Sequence, residues 1–323
     1  MPDPKKSSSI SSFKEILKRF VRPVVLFFIP VVIIATVLEL MVAKIPSTYS
    51  LVGEQLEQEA ENIEVAVFGS SQIKNSINPE FLTKNTLNIS SSAQHHNTDY
   101  KLLQGVVDRL PNLKTVVFEL SYGHLEVPHN SKYYWKRPVF LKYYGINTFD
   151  RATTPADSLL YMSHPGFFTT QLFDQYLRDS LPAFNRFGFD TGNYKGRFKR
   201  LGFDVDSIMR DPLNISRRES LKILEYNTSY FKEMLDFCYD RGLSVVIISP
   251  PTFANYSEKR DLNTLQRRDS VLAELKVNYP GLRVLIAETD KRYLVTDFRN
   301  GNHLNPDGAE KFTKQLDSLL NTN

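Results

Sequence analysis

The chain has 323 residues, 41% hydrophobic and 24% charged, with a net charge of +4 and a single cysteine. That length supplies one large folded domain or two modest ones, each with a buried core. So small a charge, with no basic stripe or recognised motif, argues against a nucleic-acid partner. The lone Cys238 excludes an internal disulfide framework and any multi-cysteine metal site.

Residues 1–12, MPDPKKSSSISS, read as disordered within a basic N-terminus, 1–23. Residues 24–38, VVLFFIPVVIIATVL, continue past Glu39 to Ala43, about the 20 residues a helix needs to cross a hydrocarbon core. Pro30 is tolerable there, and Glu39 sits where a carboxylate reaches the interface. Lys14, Lys18, Arg19 and Arg22 precede the run and only Lys44 follows closely. The positive-inside rule then leaves the N-terminus cytoplasmic and the remainder periplasmic or extracellular. A cleaved signal peptide would show a shorter apolar region and a small-residue cleavage site. A soluble core helix is rarely apolar on every face. The expectation is a transmembrane anchor at 24–45, a connector at 46–61 and an extracytoplasmic domain at 62–323.

Short β-branched runs punctuate that domain at 63–68, 86–89, 115–120 and 244–249, with a fifth at either 283–286 or 293–296. Amphipathic helical patterns fall between them at 100–110, 219–241 and 262–277. A last one, 307–320, is entered through Asn305-Pro306, an Asx cap followed by proline. Strands alternating with helices imply a parallel sheet covered on both faces, with its site at the carboxyl ends of the strands. Gly69-Ser70-Ser71, Asn88 to Gln94, Ser121 to His124 and Ser249 to Thr252 all fall at such ends. Between 124 and 213 the rhythm breaks into a segment rich in Tyr, Phe, Arg and Pro. It reads either as a surface for carbohydrate or an anionic polymer, or as a helical insertion with a small core of its own.

Two blocks carry the chemistry. Val65-Ala66-Val67-Phe68-Gly69-Ser70-Ser71 ends an apolar strand on a glycine and two hydroxyls. Near the C-terminus, Asn300-Gly301-Asn302-His303-Leu304-Asn305 puts an imidazole just before a helix start. A hydroxyl is a weak nucleophile until an imidazole takes its proton, and a third group must orient that imidazole. The bland readings are a capping serine in a strand-to-helix turn and a loop histidine.

Together these blocks resemble the SGNH (GDSL-like) hydrolase superfamily, in particular its membrane-anchored branch of alginate O-acetylation and teichoic-acid D-alanine transfer proteins. The resemblance rests on Phe68-Gly69-Ser70-Ser71 and Asn302-His303-Leu304-Asn305-x-x-Gly308. It implies Ser71 as nucleophile and His303 as base. The fold class expected is α/β: a flavodoxin-like three-layer α/β/α domain around a mostly parallel five-stranded sheet, with an N-terminal transmembrane helix and a large aromatic-rich insertion. Three positions depart from the pattern. Asn300 stands where the family's acid would be, leaving Asp297 as a substitute if the turn folds back. Ala93 falls near the family's oxyanion glycine. Ser121-Tyr122-Gly123-His124 replaces the Gly-x-Asn-Asp block, so Ser70, Ala93, Tyr122 and His124 become the oxyanion or substrate candidates.

Other signals are thinner. His95-His96 are adjacent and lack an evident third ligand, so no metal is expected, although substrate contact near the cleft fits their position. Glu119, inside an apolar strand, reads as a buried carboxylate paired structurally. Ser249-Pro250-Pro251-Thr252 reads as a rigid loop bordering the site, and Cys238 as a buried small hydrophobe. No cofactor is expected. The function expected is acyl transfer to, or ester hydrolysis on, a cell-surface polysaccharide, alongside a multi-pass membrane acyltransferase as donor partner. The alternative is a catalytically decayed scaffold that binds or assembles polysaccharide.

Overall fold

The computed structural model describes residues 7–128, 135–213, 215 and 220–322, with side chains from residue 15 onward. Contacts separate two units, Met1–Ile45 with Leu159–Leu181, and Pro46–Ser158 with Pro182–Asn323. The aromatic-rich insertion is thus divided between them.

The first unit is built on one helix, Ser7–Ala43. It begins inside the stretch read as disordered, and residues 1–6 lie outside the described residues. Its Glu15–Ala43 portion, 29 residues with none of its most apolar window buried, is long and apolar enough to cross a membrane. Leu159–Leu181 adds the helices Leu160–Ser163 and Pro165–Phe173 and a wide helical turn, Asp174–Arg178.

The second unit starts with a helix, Thr48–Gln58, where a connector was expected. Ser47 and Ser50 cap it reciprocally, and Val52 and Leu56, one turn apart, bury its apolar face. Five strands follow: β1 (Val65–Phe68), β2 (Thr86–Asn88), β3 (Thr115–Glu119), β4 (Ser244–Ser249) and β5 (Arg283–Ile286). They lie in the order β2-β1-β3-β4-β5, every pair parallel. This is the flavodoxin-like order, and the expected α/β class holds. Residues 293–296 are not a strand; Val295–Asp297 is a tight helical turn. A small antiparallel hairpin, β6 (Phe298–Asn300) with β7 (His303–Leu304), was not anticipated.

Side chains alternate across each strand, and both faces are covered, which is why the strands read as unbroken apolar runs. Ala66, Phe68, Val116, Phe118, Val245 and Ile247 pack into one core with Leu102, Leu103, Phe231, Met234, Leu235 and Leu272. Those partners come from the helices His96–Val106, Leu221–Tyr239 and Leu262–Asn278. On the other face Val65, Val67, Val117, Val246 and Ile248 meet Phe312, Leu316 and Leu320 of the last helix, Pro306–Asn321. Asn305 caps that helix by accepting the Gly308 amide at 3.0 Å. A Cβ on Gly308 would lie 2.3 Å from the Asp297 carbonyl oxygen, so the sequence needs glycine there.

Candidate active site

Ser71 opens a single helical turn, Ser71–Lys74, three residues beyond the end of β1. The turn is tight because Gly69 adopts φ +153, and a Cβ there would meet Ile73 at 2.5 Å and the Glu119 carboxylate at 2.8 Å. Glu119 ends β3, the neighbour of β1, and is 1% exposed. Its carboxylate accepts the Ser70 amide at 2.5 Å and the Ser70 hydroxyl at 3.1 Å. The structural reading of Glu119 therefore holds: it fastens the turn that presents Ser71. Ser70, expected as an oxyanion or substrate residue, spends both donors on that carboxylate.

His303 reaches Ser71 from the other end of the chain, with Nε2 2.8 Å from Ser71 Oγ. Its Nδ1 lies 3.0 Å from Asn300 Oδ1. The three-residue spacing works because Asn300 and His303 are cross-strand partners in the β6–β7 hairpin, where opposite residues share a face. The Asn300 oxygen also accepts the Asn302 amide at 3.1 Å. Donation from Nδ1–H to that oxygen leaves the Nε2 lone pair facing the serine hydroxyl, the tautomer a general base requires. Burial, with the Arg299 guanidinium adding to it, lowers the imidazole from its usual 6.5 to about 4, against an upward pull from Glu119. The ring is therefore neutral at pH 7.

Asp297 does not join this group. Its carboxylate accepts the Leu294 amide at 2.7 Å, and both oxygens pair with Lys311 Nζ at 2.8 Å. It closes the turn before β6, so the orienting position falls to Asn300 alone.

The loop after β2 borders the turn, with the Ser91 amide donating to the Gly69 carbonyl at 3.0 Å. Ala93 there takes φ +54, the left-handed region that glycine favours. The loop is held by Lys136, which donates to Ser91 Oγ at 3.0 Å and to the Ser92 carbonyl. Tyr49 OH shares Ser91 Oγ at 2.8 Å. The Ser71 amide, in the first turn of its helix, has no intrahelical acceptor and is a natural oxyanion donor.

The remaining candidates are held in other contacts. Tyr122 OH accepts the Asp261 amide at 2.8 Å, and its own amide donates to Glu288. His124 is buried, with Nε2 3.3 Å from the Gln94 carbonyl and its ring against His95 and His96. His96 is wholly buried and packs on Phe231, so substrate contact does not extend to it. Ser249 Oγ donates to Glu288 at 2.5 Å. Asn75, which the sequence offers as a turn residue, donates its side-chain amide to the Ser71 carbonyl at 2.6 Å while its oxygen accepts from Asn193 at 2.8 Å; sequence reasoning gave no sign of the Asn193 contact. It also missed Arg299, whose influence depends on its place within β6, next to Asn300, rather than on any motif.

No family model matches the chain, and no curated protein matches it. Among solved structures, it is similar to a protein assigned as an acylhydrolase from Bacteroides fragilis NCTC 9343, at 10% identity and TM-score 0.38, over 82% of this chain and 95% of that one. A GDSL-like lipase from Bacteroides thetaiotaomicron VPI-5482 is similar at 10% identity and TM-score 0.36, over 81% of this chain and 90% of that one. Both scores are low, and neither likeness bears on the residue roles.

Proposed function

We propose that the chain is a serine acyl-transfer enzyme of the SGNH (GDSL-like) type, anchored in a membrane by residues 24–45 with its domain outside the cytoplasm. The observation that carries the reading is the continuous line from Ser71 Oγ through His303 Nε2 and Nδ1 to Asn300 Oδ1, at 2.8 and 3.0 Å. Ser71 Oγ attacks the acyl carbonyl while His303 Nε2 takes its proton. The amides of Ser71 and Ala93 receive the oxyanion. Collapse expels the first alcohol, which leaves with the proton from Nε2, and the acyl group stays on Ser71. An acceptor hydroxyl, or water, then gives its proton to Nε2 and takes the acyl group by the same route reversed.

Acyl transfer to a cell-surface polysaccharide, with a multi-pass membrane acyltransferase as donor partner, suits a site anchored at a membrane. Labelling with a serine-reactive fluorophosphonate tests the reading. An adduct on Ser71, absent in Ser71→Ala, is expected, and a folded wild-type protein that takes none overturns it. A second reading, a decayed scaffold that binds polysaccharide, is favoured by one observation: among the described residues no carboxylate pairs with Nδ1 of His303, because Asp297 is turned to Lys311. Under it, Ser71→Ala would leave the cellular phenotype intact.

A further inference from the structure

Among the described residues outside the helix Ser7–Ala43, fifteen large hydrophobic side chains are exposed, and six of them fall within Leu159–Leu181. They are Leu159, Met162, Phe167, Phe173, Tyr176 and Leu177, the last 73% exposed. The other nine are spread along the rest of the chain, as single exposed apolar residues normally are. A cluster this dense in one short segment asks for a covering phase.

Several polar groups of the same segment are paired within the unit. Glu39, the one carboxylate near the end of the apolar helix, accepts the amides of Leu160 at 2.7 Å and Met162 at 3.0 Å. Its negative charge thus meets unpaired N–H groups at the start of the helix Leu160–Ser163. At the last turn of the apolar helix, where carbonyls lack intrahelical donors, the Met41 carbonyl accepts Tyr176 OH at 3.3 Å. Tyr161 OH pairs with Thr169 at 3.1 Å, and His164 Nδ1 accepts the Phe167 amide at 3.1 Å. Arg178 pairs with Asp174 at 3.1 Å and lies over the Phe173 ring. These polar groups are paired within the unit, while the six large apolar and aromatic side chains are exposed. This is the arrangement demanded at a bilayer boundary, where water is scarce and amphipathic rings are favoured.

We propose that the segment 159–178 is a second membrane-contacting element, lying in the interfacial zone of the bilayer that the apolar helix crosses, with Phe167, Phe173, Tyr176 and Leu177 inserted among the headgroups and upper acyl chains. The inference rests on the anchor reading. The occupant is lipid because the patch is continuous with the apolar surface of the helix end it grips, through Glu39 and Met41.

Site-directed fluorescence on the full chain in lipid nanodiscs tests it. The native thiol, Cys238, is buried, and burial pushes it up to about 12, so a surface cysteine labels selectively near neutral pH. Phe167→Cys and Leu177→Cys would carry an environment-sensitive dye, with Ile33→Cys in the middle of the apolar run and the well-exposed Val277→Cys as references. Nitroxide lipids labelled near the headgroup should quench positions 167 and 177 about twofold or more over position 277, with a blue shift. Position 33 should respond to nitroxides deep in the acyl chains. Positions 167 and 177 behaving like 277 while 33 is quenched overturns the interfacial element and leaves the anchor standing. A blue shift at 167 or 177 without lipid quenching also overturns it, in favour of a protein partner. No quenching at 33 defeats the anchor reading, and the proposal with it.

Discussion

Two groups of polar side chains at the carboxyl edge of the sheet look alike in sequence and differ in kind. Beyond β4 and β5, Ser249 gives its hydroxyl to Glu288, whose carboxylate also takes Arg268 at 2.8 and 3.1 Å and Arg260 in a close pair. Glu288 and Arg268 are each 4% exposed, and the network uses its charges to hold the strand ends together. Beyond β1, Ser71 gives its hydroxyl to a half-buried imidazole that is held only by a neutral amide. A serine at a strand end is therefore uninformative until its acceptor is known. A hydroxyl consumed by a buried carboxylate is structural; one facing a neutral nitrogen is poised to lose its proton.

Four measurements break or sharpen that contrast. Ser71→Ala should abolish fluorophosphonate labelling and take ester turnover down to background, since losing the serine costs about 10⁶-fold in a complete triad. Its urea midpoint should stay nearly unchanged, because no buried charge is orphaned. Glu288→Ala should do the reverse. Leaving Arg268 and Arg260 without their carboxylate should cost about 3–5 kcal/mol in urea unfolding, and a loss below about 1 kcal/mol would remove the contrast. Asn300→Asp supplies the missing charge behind His303 and should raise kcat/KM by about 10- to 100-fold. An unchanged or lower rate would mean the neutral amide is already the better partner. Last, the base works only when neutral, and its folded value lies near 4. Turnover should thus be flat near pH 7 and fall about tenfold per unit below about pH 4 as Nε2 takes a proton. In Asn300→Asp the inflection should move upward, since a carboxylate stabilises imidazolium.

The same contrast explains what was legible in the sequence. Val65-Ala66-Val67-Phe68 and Ser244-Val245-Val246-Ile247-Ile248 read as strands because both faces of a parallel sheet are buried and nearly every position is apolar. Asn305-Pro306 marked a helix start through local backbone chemistry. Gly69 and Gly308 stood out as members of the two resemblance blocks, and the close approach of other atoms, which leaves no room for a Cβ, explains why glycine is needed there. Asp297 was a substitute orienter only on the condition that the turn folds back, and its carboxylate is instead paired with Lys311. The deciding fact, Lys311 fourteen residues on, comes from the last helix folding back over the turn. Tyr122 and His124 were candidates by position at a strand end, but their partners Asp261 and Gln94 come from separate loops. Lys136, from the insertion, gave no local signal that it pins the loop bearing Ala93.

By itself the sequence determined the alternating α/β order and the apolar helix at the N-terminus, and it marked Ser71 and His303 as candidates. Each of these follows from short-range pattern: periodicity, caps, and a hydroxyl or imidazole after a strand. Only the tertiary structure decided which hydroxyl faces a base, that Asn300 and not Asp297 lies behind the imidazole, and that Glu119 fastens the nucleophile turn. Those outcomes depend on contacts between residues 49 to 232 positions apart and on a hairpin register, and no local rule encodes either. Burial then sets the charge state of each group, because removing water is a property of the packed interior and not of any segment alone.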